Sequence, residues 1–309
     1  MDLELATASL EAELDRATWP VWGGPLSLTD YRFQLNRLRD HPWARERRRA
    51  WVLRADTGEP AAFCETYGMD SRLNGTPGIT LGVGGVFTQP SFRGRGLASE
   101  LLSSLLHHLA GHPPAPQALL LFSDLGPAPY ARAGFQPLPL AIRRWTAPES
   151  PDTPPATLLS EADLPDDLPW REATFDLRPS KAQLAWQVAR EGLILEVAER
   201  PRPPFRGARA GNGIALWSVD PREGLTFLVF RPTTVEEARD LLAAARWAAR
   251  AARLAELSLW DDPEGPSWHL LPPEDPGRLE SARVLPMLRL SDPRAAGPIR
   301  PVLTGGIRI

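Results

Sequence analysis

Apolar positions along the chain recur in two rhythms, and the changes of rhythm sort most of it into short helices and strands. A brief apolar run, Leu3–Ala6, leads into helical spacing over about 8–18 and again over 28–40, where Ser27 or Thr29 is placed to cap the start. In "AWVLRADTGEPAAFCETYG" two strand-like runs flank Asp56-Thr57-Gly58-Glu59, a hairpin signal. "GITLGVGGVFT" (78–88) predicts a third strand, and a helix of about 96–110 follows it. Then come a buried-looking strand, "ALLLFSD" (118–124), a short helix in "PAPYARAG", and a last strand, "LAIRRW" (140–145). That order predicts a mixed sheet with helices on its faces, an α/β fold.

"TAPESPDTPPAT" (146–157) interrupts the pattern, because proline and small polar residues cannot continue a helix or a central strand. It is the expected linker between a domain at 1–145 and a second α/β domain at 158–309. In the second half a helix is predicted at 180–191 and strands at "LILEVAE", "GIALWSVD" and "LTFLVFR", the latter two joined by the turn "DPREG". A long helix is predicted at 234–255, where Thr233 or Thr234 with Glu236 or Glu237 approximates a capping box, and the strand "AELSLW" follows.

Composition narrows the chemistry. A formal net charge of −3 over 309 residues gives no global attraction to nucleic acid or anionic membrane. Lys181 is the only lysine, which nearly excludes a catalytic lysine. Cys64 is the only cysteine, so there is no disulfide framework. His108 and His112 are four apart, but no carboxylate shares their turn, and no metal site is expected. The acidic start "MDLELATASLEAELD" does not read as a signal peptide, and no apolar run approaches the ~18 residues of a membrane span. A cytoplasmic protein is the expectation.

The most informative stretch is "FTQPSFRGRGLASELL", a strand end, a glycine–arginine loop and a helix start. Loop amides and the first-turn N–H groups of a helix converge there, which suits a phosphate. Three patterns compete, beside an ordinary loop that binds nothing. The nucleotide P-loop is absent, since no lysine follows the glycines. The dinucleotide fingerprint fails at Ser99, where its third glycine belongs, and five residues, Gln89 to Arg93, separate the glycines from the strand. The third pattern, R-x-x-G-x-[GA] opening a helix, is met in full by Arg93-Gly94-Arg95-Gly96-Leu97-Ala98.

That hexapeptide resembles the acetyl-CoA loop of the GNAT superfamily of N-acetyltransferases. Two further stretches carry the resemblance: the glycine-bearing strand with Gly82, Gly84 and Gly85, and Tyr130, Gly134 and Phe135 in a Y-x-x-x-G-F pattern. The resemblance implies a GNAT-type sheet, acetyl-CoA as cosubstrate and a small-molecule amine as acceptor. It implies that Arg93, Gly94, Arg95, Gly96, Leu97, Ala98 and Ser99 hold the pyrophosphate. It implies that the backbone of Val86, Phe87 and Thr88 holds the pantetheine arm and polarises the thioester carbonyl. It gives Tyr130 the role of protonating the departing thiolate. "FCETYG", "VFTQPSFRGRGLAS", "LFSDLGPAPYARAGF" and "LAWQVAREG" further resemble fungal lysine N-acetyltransferases and their bacterial relatives, which makes lysine a first acceptor to consider.

A lysine-type amine has a pKa of about 10.4, so freeing it for attack costs about 4.6 kcal/mol at pH 7. Glu65 lies where GNAT acceptors bind and is the candidate base or ammonium-binding group, with a structural ion pair as the alternative. Asp70 and Asp124 are weaker candidates, and Asp124 is also placed to cap the short helix. Cys64 alternates with Glu65 along its strand, so it points to the other sheet face and reads as a buried apolar residue rather than a nucleophile. Direct transfer in a ternary complex is therefore expected. Trp186, Trp217 and Trp260 are candidates to line the acceptor site from the second domain, or simply to fill its core. A catalytically degenerate acetyl-CoA sensor is the competing function.

Overall fold

The computed structural model describes all residues except 113, 148–152, 169, 171–172, 221–223, 262–264, 282–284, 293–300 and 303–309. The chain forms two compact units.

The first unit opens with β1 (Asp2–Leu5), α1 (Ala8–Trp22), α2 (Leu28–Arg39) and α3 (Pro42–Arg47). Hydroxyl caps start the two longer helices: Thr7 accepts from the Leu10 amide and Ser27 from the Asp30 amide. A meander follows, β2 (Arg48–Arg54), β3 (Pro60–Leu73) and β4 (Thr76–Thr88). Then come α4 (Leu97–Ala110), β5 (Ala118–Ser123), the single turn α5 (Ala128–Ala131) and the two-residue β6 (Gln136–Pro137). The sheet order is β1-β2-β3-β4-β5, then β15 (Leu285–Leu290) and β6. All neighbours are antiparallel except β4 and β5.

Strand alternation sorts side chains onto two faces. On one, Leu53, Ala62, Cys64, Val83, Leu119 and Leu121 pack under the leucines of α4 (97, 101, 102 and 105). On the other, Val52, Phe63 and Phe87 pack under Leu10 and Leu14 of α1. Each of those α4 leucines is at most 3% exposed, and full burial stabilises by about 1.5–3 kcal/mol per side chain.

The second unit has its own sheet, built from β7 (Ala141–Thr146), β8 (Thr157–Leu159), β10 (Gly207–Ala210), β11 (Gly213–Asp220), β12 (Gly224–Arg231), β13 (Glu256–Asp261) and β14 (Arg278–Ser281). Their order is β14-β7-β13-β12-β11-β10-β8. β9 (Phe175–Leu177) pairs in parallel with β16 (Pro301–Val302). Helix α6 (Lys181–Val197) precedes β10, α7 (Val235–Ala251) follows β12, and the short α8 (Pro266–His269) follows β13. The alanine-rich face of α7 (Ala238, Ala245, Ala248, Ala249) lets it lie close to Trp217, Phe227 and Leu257.

Three expectations change. First, the strand at 141–146 is not the end of the first domain. The division falls between Leu138 and Pro139, and β15 returns from far along the chain to complete the first sheet. The apolar "LPMLRL" covers the edge of β5, whereas β7 carries Arg143 and Arg144, and Arg144 pairs with Glu256 and Glu280 of the second sheet. Second, "LILEVAE" is helical through Val197, because strong helix formers continue α6 past Gly192 and nothing breaks it. Third, the linker at 146–157 is partly strand: Thr146 ends β7 and Thr157 starts β8, while 148–152 lie outside the described residues. The turn "DPREG" likewise falls largely outside them. Among the described residues no helix is long and apolar enough to cross a membrane.

Candidate active site

Helix α4 begins unlike α1 and α2. Its N-cap is Gly96, left-handed at φ 78°, with no side-chain cap. Gly94 is also left-handed, at φ 77°, and the space where a Cβ would lie is empty at both. Among the described residues the amides of Gly94, Arg95, Gly96, Leu97 and Ala98 have no acceptor within the chain. A cradle of free N–H groups at the positive end of a helix suits a phosphate or pyrophosphate. The arginines flank it: Arg93 donates to the Thr88 carbonyl (3.2 Å) and lies over Phe87, and Arg95 donates to the Ser91 carbonyl (3.2 Å) and lies over Phe92.

β4 leads to this loop and parts from its neighbour on the way. It pairs with β5 only from Thr80 to Val83. Opposite Cys64 it holds one extra residue, since Phe63 faces Phe87 while Glu65 faces Gly84. Gly85 sits in that bulge at φ 58°, a conformation glycine adopts readily. Beyond it, the Gln89 amide bonds to Ala61 of β3 (2.9 Å). Backbone groups alternate sides along a strand, so those of Val86 and Thr88 face away from β3, toward the gap. Gly82 and Gly84, by contrast, sit in regular pairs with Tyr67 and Glu65.

Tyr130 stands at the end of β5. Its helix is tied to the first turn of α4 by the Ser99 hydroxyl, which donates to the Pro129 carbonyl (2.6 Å). The ring is buried and edge-on to Phe135, at 6.4 Å. Burial raises the phenol above its ordinary value and the charge of Asp124 adds to this, while a hydrogen bond with Ser123 opposes it. The hydroxyl therefore stays protonated through neutral pH.

Glu65 opens onto a cavity of about 120 Å³ lined from α1, α2, β2, β3 and Gly85 of the bulge. It accepts from Arg48 Nη2 and from the Tyr67 hydroxyl, both at 2.5 Å. Arg48 also donates to Glu11 (2.8 Å), and Arg39 holds both oxygens of Asp15 (2.7 and 2.6 Å). Burial pushes the Glu65 carboxyl up, but the Arg48 charge and hydrogen bond, then Arg39 and Tyr67, outweigh it and hold the group below the usual carboxylate range. Glu65 is thus ionised at neutral pH. Trp22 stands over the apolar side, edge-on to Phe63 (6.4 Å) and Phe87 (5.6 Å).

Residues 12–124 match the family model described as "Acetyltransferase (GNAT) family". That stretch, which lies within the first unit, is similar to the GNAT acetyltransferases. Solved structures agree on the fold over most of the chain. A probable N-acyltransferase from Enterococcus faecalis V583 has a TM-score of 0.60 at 13% identity, covering 95% of this chain and 73% of its own. A GCN5-related N-acetyltransferase from Kribbella flavida has 0.59 at 18%, covering 97% and 74%. Eis1 from Mycobacterium abscessus has 0.60 at 16%, covering 94% and 74%. At such identities the likeness is one of fold. No curated protein matches the sequence.

The other candidates separate clearly. Within the first unit Cys64 lies on the α4 face, fully buried, and burial pushes its thiol far up. Asp70 pairs with Arg47 at 3.3 Å. Asp124 does not cap α5, whose N-cap is Pro127; Ser123 shapes the turn instead, accepting from the Leu125 amide (3.2 Å) and donating to the Gly126 carbonyl (2.7 Å). The His108 and His112 rings stack at 4.1 Å, and among the described residues no cluster of potential metal ligands forms. Trp186, Trp217 and Trp260 are buried in the second unit, Trp217 within its main core. Sequence reasoning missed Glu11, Asp15, Arg39, Arg48 and Tyr67. A signal existed: Glu11 and Asp15 are four apart on α1, directly after the buried Leu10 and Leu14.

Proposed function

We propose that the protein transfers the acetyl group of acetyl-CoA to the primary amine of a small molecule, directly, in a ternary complex. The observation that carries this is the parting of β4 from β5 after Val83, beside a helix start with five unclaimed amides. The amides of residues 94–98 would take the pyrophosphate, assisted by Arg93, Arg95 and the Ser99 turn. The outward-facing backbone of Val86 and Thr88, on either side of Phe87, would take the pantetheine arm. Acetyl-CoA supplies an activated thioester.

Around it the chain's own groups divide the work. Glu65, ionised and close to Gly85, anchors the ammonium. Its lowered pKa suits an anchor better than a base, so the proton goes to solvent from the bound amine. A Val86 or Thr88 amide stabilises the carbonyl oxygen as negative charge develops. The amine's C–N bond forms and the C–S bond breaks. Tyr130 hydrogen-bonds to the sulfur as charge develops and passes its proton to the departing thiolate, a step that the raised phenol makes uphill against a thiol near 8.5. The proton shed by the nitrogen after the C–N bond forms restores the phenol through solvent. The buried, protonated Cys64 on the opposite face supports transfer without an acyl-enzyme. Lysine is the acceptor that the sequence resemblance brings forward.

The test is thiol release from acetyl-CoA with a panel of amines, alongside calorimetric binding of coenzyme A. Binding with no release for any amine would replace the transferase by an acetyl-CoA sensor; absence of binding would remove both.

A further inference from the structure

The cavity behind Glu65 has a definite charge and definite walls. Glu11, Asp15 and Glu65 supply three negative charges, and Arg39 and Arg48 supply two positive ones, all linked by direct contacts. The cluster therefore carries a surplus of one negative charge. Both Asp15 oxygens are occupied by Arg39. Glu65 accepts one bond from Arg48 and one from Tyr67, so about two of its roughly four lone-pair positions remain. Its side chain is 21% exposed and stands nearest the bulge, with Gly85 alongside its Cγ. The uncharged lining is mainly apolar, with Leu14, Trp22, Leu35 and Phe63, and its two hydroxyls, Thr18 and Tyr31, bond to each other at 3.2 Å. The Arg48 side chain is only 9% exposed, and among the described residues its Nε makes no hydrogen bond, while Arg39 Nε lies 3.4 Å from Glu11 Oε2.

Resting on the acetyltransferase reading above, we propose that the acceptor is a primary amine with a single positive charge and an apolar body. Its ammonium sits at Glu65 and its carbon skeleton lies against Leu14, Trp22, Leu35 and Phe63. One monocation neutralises the surplus. A second ammonium would find no further uncompensated carboxylate in this lining, only apolar side chains, two guanidiniums and two neutral hydroxyls, so its desolvation would be poorly offset. An amino acid's carboxylate would join a cluster that already holds three. This turns the acceptor away from lysine, polyamines and aminoglycosides, and toward alkyl- or arylalkylamines. Transfer consumes the amine's charge: the ammonium and acetyl-CoA yield a neutral amide, the free thiol and one proton. The amide no longer pairs with Glu65, which favours its departure.

The test compares hexylamine with 1,6-diaminohexane, which match in length and differ in one charge, together with 2-phenylethylamine, lysine and an aminoglycoside. Thiol release should give the two monoamines a kcat/KM at least tenfold above the others. From butylamine to hexylamine, KM should fall about fourfold per added methylene. Leu35→Asp, at a half-buried wall position, should move the preference toward diaminohexane. A wild-type preference for diaminohexane, lysine or the aminoglycoside would overturn the proposal while leaving the transferase reading intact. Coenzyme A binding with no thiol release for any amine would overturn that reading and this one with it.

Discussion

Replacing Gly96 by alanine separates folding strain from ligand contact, because a second glycine supplies a matched control. Gly96 has φ 78°, and nothing lies within 4 Å of a Cβ built there. Gly58, in the hairpin turn between β2 and β3, has φ 84° and equally open surroundings. Left-handed backbone costs an L-residue about 1–2 kcal/mol, so both variants should lose about that much stability. For a unit of roughly 150 residues this lowers Tm by about 2–4 °C per kcal/mol. Only Gly96→Ala puts a methyl group into the amide cradle. If the pyrophosphate lies there, at least one charge-assisted hydrogen bond is lost, worth about 1.5–3 kcal/mol. That is a rise in Kd for coenzyme A of roughly 10- to 150-fold. Titration calorimetry with coenzyme A, paired with thermal melts of both variants, reads the two effects separately. If Gly96→Ala binds coenzyme A as tightly as Gly58→Ala does, the cradle is not the pyrophosphate site.

Tyr130→Phe should lower kcat while leaving the Kd for coenzyme A within about twofold, since the ring still packs on Phe135; unchanged turnover would remove its role as proton donor. Cys64→Ala should cost about 1 kcal/mol of stability and keep turnover, and mass spectrometry after acetyl-CoA alone should find no acetylated enzyme. A Cys64 adduct together with loss of activity would refute direct transfer. Glu65 is held below its ordinary range in the folded protein, so its ionised form contributes stability above the unfolded value of about 4.3 and loses it as pH falls through the lower folded value. Denaturant melts of wild type and Glu65→Gln should therefore differ by a constant amount from pH 8 to about 5 and converge below about 4. Divergence at low pH would contradict the ion-pair assignment.

Much of the fold is written locally. The caps at Ser27 and Thr234, the turn at Asp56–Glu59 and the leucine spacing of α4 each express a choice made within a few residues. What stays hidden is long-range. Ala141–Thr146 and Leu285–Leu290 are both short strands, and although the first carries two arginines and the second is mostly apolar, neither names its partner strand. The choice depends on partners more than a hundred residues away: Glu280 for Arg144, and the open edge of "ALLLFS" for "LPMLRL". "LILEVAE" fails for a different reason. Seven apolar-rich residues satisfy a strand and a helix about equally, and the helix already running through α6 decides between them.

The two substrate sites differ in legibility for the same reason. A donor held mainly by backbone needs glycine where the chain turns left-handed and free amides where a helix starts, and both requirements leave their mark in consecutive residues, Arg93 to Ala98. An acceptor held by side chains draws on α1, α2, β2 and β3 together. Its charge is a sum over Glu11, Asp15, Arg39, Arg48 and Glu65, and no segment of sequence contains that sum. Glu65 alone reads as one more carboxylate among many arginines. Only with Arg48 bridging it to Glu11, and Arg39 spent on Asp15, does one negative charge remain uncompensated. A single substitution from Glu11 to Gln would abolish that surplus without touching Glu65 or the cradle. If the surplus selects the acceptor, this change should raise KM for a monoamine and leave the Kd for coenzyme A alone.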